Sequence, residues 1–235
     1  MTDNRKPLVY IISAPSGSGK STLTNEILKL VPNLVFSISY TTRSPRGSEQ
    51  NGKQYHFITR EEFDRMVQDG EFLEYANVHG KCYGTARQFL REAGKSGNDL
   101  LLDIDVQGAA QIKKNLTDAI SIFVLPPDRK TLEWRLCNRS ENSKQEIQRR
   151  LNDAKREIEE YDKYDYVLIN DQLEKSIERL QAIVLSERLR REQKTLSEIE
   201  NAIVARAERL RLANLKEKVQ PILASFRDLA PSASS

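Results

Sequence analysis

Short runs of apolar residues alternate along this chain with polar segments of helical spacing. Leu8–Ser13 (LVYIIS) is a β-branched apolar run, and Leu23, Ile27 and Leu30 then fall on one side of a predicted helix over Lys20–Leu30. Further buried strands are predicted at Leu34–Ile38, Leu100–Ile104, Ile120–Leu125 and Tyr166–Ile169. Polar or helical sequence follows each of them, as a parallel sheet with crossover connections requires. Between the second strand and Leu100 the texture changes. Turn residues Pro45, Gly47 and Asn51-Gly52 separate short alternating segments at Tyr55–Ile58 and Phe72–Val78 from a polar helix near Glu61–Asp69, which predicts a small inserted α+β subdomain. Helical spacing returns over Lys144–Glu160, through Ile147, Leu151, Ala154 and Ile158, and again over Leu173–Leu189. From Glu192 to Arg227, Leu196, Ile199, Ile203 and Leu210 recur at three- and four-residue steps or their sum. The Ala/Pro/Ser tail Ala230–Ser235 is expected to be disordered.

Composition narrows the class without naming a partner. The 235 residues are 38% hydrophobic and 30% charged, which suits a globular α/β protein. No apolar run approaches the roughly 18 residues of a transmembrane helix, and the run after Arg5 and Lys6 is too brief for a secretory signal, so the expected location is cytoplasmic, away from membranes. Lys+Arg 37 against Asp+Glu 34, with the signs interspersed, gives no nucleic-acid-binding block. Cys82 and Cys137 lack CxxC spacing, and two reduced thiols are expected.

The first strand runs into Ala14-Pro15-Ser16-Gly17-Ser18-Gly19-Lys20-Ser21-Thr22. This matches a phosphate-binding loop at Gly19, Lys20 and Ser21, with Ala14 in place of the first consensus glycine. Glycines let backbone N–H groups curl around phosphate oxygens, the helix that follows adds its positive end, Lys20 neutralises β/γ charge, and the Ser21 hydroxyl is a direct ligand for Mg²⁺. Gly/Ser-rich turns also join strands to helices in proteins that bind nothing. Here a strand before and an amphipathic helix after favour a P-loop NTPase-like parallel sheet flanked by helices.

The inserted segment carries the discriminating chemistry. Arg43 and Arg46 flank a Ser44-Pro45 step whose proline pushes Ser44 into extended backbone, so that both guanidinium groups can converge on one anion. Tyr55 and Tyr83 offer neutral hydroxyl donors to a phosphate monoester. By spacing alone, a solvated turn with two surface arginines is an equal reading.

From Leu8 to about Glu192, the motifs SAPSGSGKST, SYTTRSPRGSEQNGKQYHF, EFLEYANVHGKCYGT, LLDIDVQGA and VLINDQL closely resemble guanylate kinase, whose members phosphorylate GMP with ATP. The resemblance implies that Ser39, Glu74, Thr85 and Asp105 contact guanine and that Arg43, Arg46, Tyr55 and Tyr83 hold the acceptor phosphate. It also implies that Arg135, Arg139 and Arg150 are lid groups on the phosphates, with Arg150 reaching the acceptor side too, and that Asn170 lies at the adenine. Lys20, Arg43, Arg139 and Arg150 are then the catalytic set, and Asp103, closing its strand, orients Mg²⁺-bound water or merely caps the strand. The implied organisation is a kinase domain over 1–192, with core 1–38, 86–134 and 155–192, GMP-binding subdomain 39–85 and helical lid 135–154. A helical extension with a disordered tail occupies 193–235. Substrates would be ATP with GMP, and dGMP as a further acceptor. Guanine presents N1–H and N2–H₂ side by side, so one carboxylate such as Glu74 accepts both, whereas adenine turns a bare acceptor toward it. Alternatives are a kinase of another nucleoside monophosphate and a catalytically dead protein-binding relative. The resemblance does not explain the extension, whose amphipathic pattern allows packing on the body, a homodimer or simple decoration.

Overall fold

The computed structural model describes residues 6–78, 80–138 and 143–227. In chain order the elements are β1 (Val9–Ser13), α1 (Lys20–Leu30), β2 (Leu34–Phe36), β3 (Tyr40–Thr41), β4 (His56–Phe57), α2 (Arg60–Gln68), β5 (Phe72–Val78), β6 (Lys81–Ala86), α3 (Arg87–Lys95), β7 (Asp99–Asp103), α4 (Val106–Asn115), β8 (Ile120–Leu125), α5 (Arg129–Asn138), α6 (Lys144–Ile158), β9 (Tyr166–Ile169), α7 (Leu173–Glu192), α8 (Glu198–Glu208) and α9 (Leu212–Arg227), with a 3₁₀ turn at Glu159–Lys163. One sheet has the order β2-β7-β1-β8-β9, and its β2–β7 and β8–β9 pairings are parallel. All of β1 and β8 is buried, which is why their sequences read as nearly continuous apolar runs, with the buried Ser13 and Ser121 as their polar members.

Two compact units make up the chain. One comprises the residues up to Ile11 with Val31–Ile120, the other Ile12–Leu30 with the residues from Ser121 onward. The first unit holds a second sheet, β4-β3-β6-β5, packed over a cluster of Phe63, Met66, Phe72, Cys82 and Ala86. Helix α2 starts there because the Thr59 hydroxyl accepts from Glu62 N at 3.1 Å. His56, an ordinary polar position by sequence, stacks on Tyr40 at 4.6 Å, and burial lowers its pKa. His79 lies outside the described residues.

The predicted strands at Ile120–Leu125 and Tyr166–Ile169 have their predicted bounds. Two others shift. The second strand stops at Phe36 instead of Ile38, and the third spans Asp99–Asp103 because Ile104 already leads into the Asp105 cap of α4. The expected helix over Lys144–Glu160 is α6 followed by the 3₁₀ turn.

The extension departs most from its sequence pattern. Gln193 adopts left-handed backbone (φ 50°) and ends α7, and a Ser197–Glu200 capping box restarts the chain as α8. Ile199, placed by periodicity on an apolar side, is 76% exposed, while Ala207 and Leu210 are buried. The chain then returns along β9: Val167 N donates to Leu210 O at 2.9 Å, Leu212 N donates to Asp165 O at 3.2 Å, and Tyr166 pairs antiparallel with Arg211. The Arg211 guanidinium lies 4.3 Å over the Tyr166 ring and bonds Glu187 at 2.8 Å, and the Tyr166 hydroxyl donates to the same carboxylate. Helix α9 buries Leu215, Val219, Ile222 and Phe226 and packs on α5, α6 and β9. The predicted tail at Ala230–Ser235 lies outside the described residues.

Candidate active site

In the first unit, β5 and β6 form an antiparallel pair in which Glu74 faces Thr85 and Ala76 faces Tyr83. Tyr83 and Thr85 are two apart on one strand and therefore share a face. The Thr85 hydroxyl donates to Glu74 Oε1 at 2.6 Å. Glu74 is 4% exposed, and its carboxyl is pushed up to about 7, first by burial and further by the nearby Asp105 charge, against the lowering bond from Thr85. Asp105 caps α4, its Oδ1 accepting from Gly108 N at 2.9 Å.

Two residues not anticipated from sequence seat Glu74. A Cβ on Gly108 would lie 2.5 Å from Glu74 Oε2, so only glycine lets α4 approach this carboxylate. Gln111 on α4 clamps the neighbouring backbone, its Nε2 donating to Tyr75 O at 2.7 Å and its Oε1 accepting from Tyr75 N at 3.3 Å. A side-chain clamp on backbone such as that of Gln111 carries no periodicity or motif, whereas Gly108 sat inside LLDIDVQGA.

The expected phosphate-binding groups gather in the same unit. Arg43 is 8% exposed, with its guanidinium 5.2 Å from the Tyr55 ring centre and 5.7 Å from that of Phe57. Tyr55 packs edge-on to Tyr83 at 5.8 Å. Burial pushes the Tyr55 phenol up to about 12, and the Asp103 carboxylate contributes, which puts Asp103 within electrostatic range of this cluster. Glu49, which sequence reasoning passed over, binds Arg43 with both oxygens, at 2.9 and 3.0 Å, and accepts from Arg46 N at 2.7 Å. Hydrogen bonding to Glu49 first, and to Tyr83 next, holds Arg43 above its ordinary pKa. The Arg46 side chain is exposed, and Ser39, half-buried, stands just before β3 with its carbonyl accepting from His56 N.

In the second unit the loop Ala14–Gly19 turns sharply before α1. Gly17 and Gly19 have φ of +92° and +90°, values that side chains rarely permit. Added Cβ atoms would meet Leu132 and Leu136 at 3.0 Å in the first case and Asn170 Nδ2 at 2.3 Å in the second. Asn170 Nδ2 donates to Ser18 O at 2.7 Å, and Arg135 donates to Ser18 O at 3.4 Å and to Asn170 O at 3.0 Å. Because a trans peptide points its C=O and N–H in opposite directions, anchoring the Ser18 carbonyl turns the Gly19 N–H away from Asn170 and into the loop. Lys20 and Ser21 open α1, and Thr22 beside them lines a cavity of about 330 Å³ with Gly17, Gly19, Trp134, Arg135, Asn138, Asn170 and Leu173. Trp134 is 66% exposed there. A larger cavity of about 470 Å³ between α7 and the extension is lined by Asp171, Lys175, Arg179 and Arg206 among others; it contains no phosphate-loop residue, so chemistry and not size marks the site.

Arg150 lies on α6 and bonds Glu146 at 3.0 Å, while Arg139 lies outside the described residues. Among the described residues, no group of three or more His, Cys, Asp or Glu side chains could hold a metal by itself. No helix is long and apolar enough to cross a membrane.

Comparison with known proteins shows the family. A family model for guanylate kinase matches residues 5–187. The chain is similar to the guanylate kinase of Koribacter versatilis, with 56% identity over 223 residues, 94% of this chain and 96% of that protein, a match that must run past Glu192. It is similar to the guanylate kinase of Geobacter metallireducens at 49% identity over 79% of this chain and 92% of the relative. Among solved structures, the guanylate kinase of Anaplasma phagocytophilum superposes with a TM-score of 0.64 at 34% identity, covering 80% of this chain and 88% of that one. The motif order, the parallel sheet and these matches agree, and the chain belongs to the guanylate kinase family.

Proposed function

We propose that this protein transfers the γ-phosphate of ATP to GMP, forming ADP and GDP, and that Glu74 selects the base. One observation carries the reading: a buried carboxylate on β5 keeps one oxygen satisfied by Thr85 and has Asp105 beside it. A guanine edge supplies two adjacent donors to such a pair, with Ser39 adding a hydroxyl, whereas adenine brings an acceptor to an acid and is repelled. Arg43, Arg46, Tyr55 and Tyr83 would hold the monophosphate.

The acceptor oxygen of GMP is already anionic near neutral pH, so no side chain has to remove a proton before attack. Catalysis then rests on alignment and on positive charge: Lys20 and the Gly19 N–H on the donor phosphates, Arg135, Arg139 and Arg150 as lid groups, and Arg43 on the acceptor. Ser21 and Asp103 offer a hydroxyl and a carboxylate oxygen, the hard donors Mg²⁺ prefers, and the lack of a three-acid cluster among the described residues suits an ion that arrives on the phosphates. Ser21 would bind it directly and Asp103 through water, and its contribution when bound is to neutralise charge on the β- and γ-phosphates.

A coupled assay with GMP, dGMP, AMP, CMP and UMP tests the reading. Activity is expected with GMP and dGMP; consumption of AMP with none of GMP would overturn it. Glu74→Gln should raise the KM for GMP by about tenfold to a few hundredfold with a smaller change in kcat. The raised Glu74 pKa also fixes a sign for pH: the carboxyl gains its proton as pH falls through about 7 and then no longer accepts twice from guanine. The KM for GMP should therefore rise by up to about tenfold between pH 8 and 6, since a group one unit below its pKa is roughly one-tenth ionised. The same scan on Glu74→Gln supplies the baseline from the phosphate's own titration.

A further inference from the structure

The guanidinium of Arg43 has five N–H donors in a fixed plane. Nη1 donates to Ser44 O at 2.8 Å and to Glu49 Oε2 at 2.9 Å, and Nη2 donates to Glu49 Oε1 at 3.0 Å. The donors not engaged with Ser44 or Glu49 are Nε–H and the second Nη2 hydrogen, which lie along one edge of the plane; Tyr83, a further hydrogen-bond partner of this guanidinium, is a neutral hydroxyl that a phosphate can share or displace. A phosphate matches that edge with two of its oxygens. Glu49 meanwhile accepts the backbone N–H of Arg46 at 2.7 Å, so a single carboxylate ties the Arg43 side chain to the backbone of the other arginine in the pair. The Arg43 side chain is 9% exposed and that of Glu49 23%, so this ion pair is largely shielded and is stronger than a surface pair.

We propose that Glu49 is a positioning residue for phosphoryl transfer: by occupying the outer end of Arg43 and the backbone of Arg46, it leaves Arg43 one two-donor edge aimed at the acceptor phosphate. This rests on the GMP reading above. It assigns Glu49 no contact with substrate. Its effect passes through Arg43, which without a partner at its outer end would rotate about its long side chain and present varied edges to the anion.

The test is a thermodynamic cycle on the full-length protein, with steady-state kinetics and with calorimetric binding of guanosine, which shares the base and lacks the phosphate. Glu49→Gln should raise the KM for GMP about tenfold or more, the loss of a charge-assisted pair. The KM for ATP and the guanosine affinity should stay within about twofold. In an Arg43→Ala background the same change should add little. Glu49→Asp keeps the charge but shortens the reach by one methylene; the same split is expected from it, and it carries the test if Glu49→Gln fails to fold.

An unchanged KM for GMP overturns the proposal, and so does a lowered one, which would make Glu49 a competitor of the phosphate. Equal weakening of guanosine, or full additivity with Arg43→Ala, overturns it as well, by showing a general structural role. Wild-type protein inactive on GMP refutes the function and this assignment together, whereas an active wild type with an indifferent Glu49→Gln refutes the assignment alone.

Discussion

Gly19→Ala is expected to lower kcat/KM for ATP at least a hundredfold while leaving GMP binding within about twofold. Gly19 sits at φ +90°, where a side chain costs about 1–3 kcal/mol, and the new methyl would press on Asn170 Nδ2 at 2.3 Å. Relieving that overlap moves Asn170 off the Ser18 carbonyl, a bond of 2.7 Å, and costs about 1 kcal/mol more. The sum, about 2–4 kcal/mol, corresponds to roughly thirtyfold to a thousandfold at 1.36 kcal/mol per decade, and misaligned Gly19 N–H and Lys20 push it to the upper part of that range. The chain has one tryptophan, and Trp134 lines the donor cavity, so intrinsic fluorescence titrated with ATP reads the loss directly. An ATP-dependent signal of undiminished affinity in Gly19→Ala would refute the loop's role.

Removing Gln193–Ser235 is expected to lower the melting temperature by about 10 °C or more and to promote aggregation. The segment covers the β9 edge through Leu210 and Leu212, fixes Arg211 over Tyr166, and buries Val219, Ile222 and Phe226 against the body. Ser225 Oγ also accepts the Arg129 N–H at the start of α5. Even about 3 kcal/mol of lost coverage moves the transition of a chain this long by roughly 6–12 °C. Scanning calorimetry with light scattering on both proteins measures the shift and the mass. A truncated protein of unchanged melting temperature would show the extension to be decoration, and a halved mass would show that it joins two copies.

Much of the fold was legible because the parallel sheet is buried on both sides. Ile120–Leu125 and Tyr166–Ile169 announce themselves as apolar runs with their true ends. The phosphate-loop pattern stood out because its chemistry needs fixed residue types at fixed spacing, whereas the spacing of Arg43 and Arg46 fitted a solvated turn equally well. What escaped is what only tertiary packing decides. Gly108 matters because Glu74 Oε2 lies where its Cβ would be, and Gln111 because Tyr75 passes beside it. Glu49 was in plain view three residues after Arg46, but a carboxylate beside arginines reads as surface charge until both its oxygens are seen on one guanidinium. In the extension, periodicity put Ile199 on an apolar side; the left-handed turn at Gln193 and the new start at Ser197 reset the helical phase, so Ala207 and Leu210 are buried instead.

The pairing of β5 with β6 has a consequence for how this family can change. Thr85, beside the base-selecting acid, and Tyr83, near Arg43, project from one strand whose register is set by a connection that closes between Val78 and Lys81, with Gly80 N held by Asn77 Oδ1 at 2.9 Å. Side chains alternate along a strand, so one inserted or deleted residue there would turn both groups to the opposite side together. The length of that short loop thus constrains both groups at once, and its composition is constrained too at Gly80, whose φ of +78° strains any side chain.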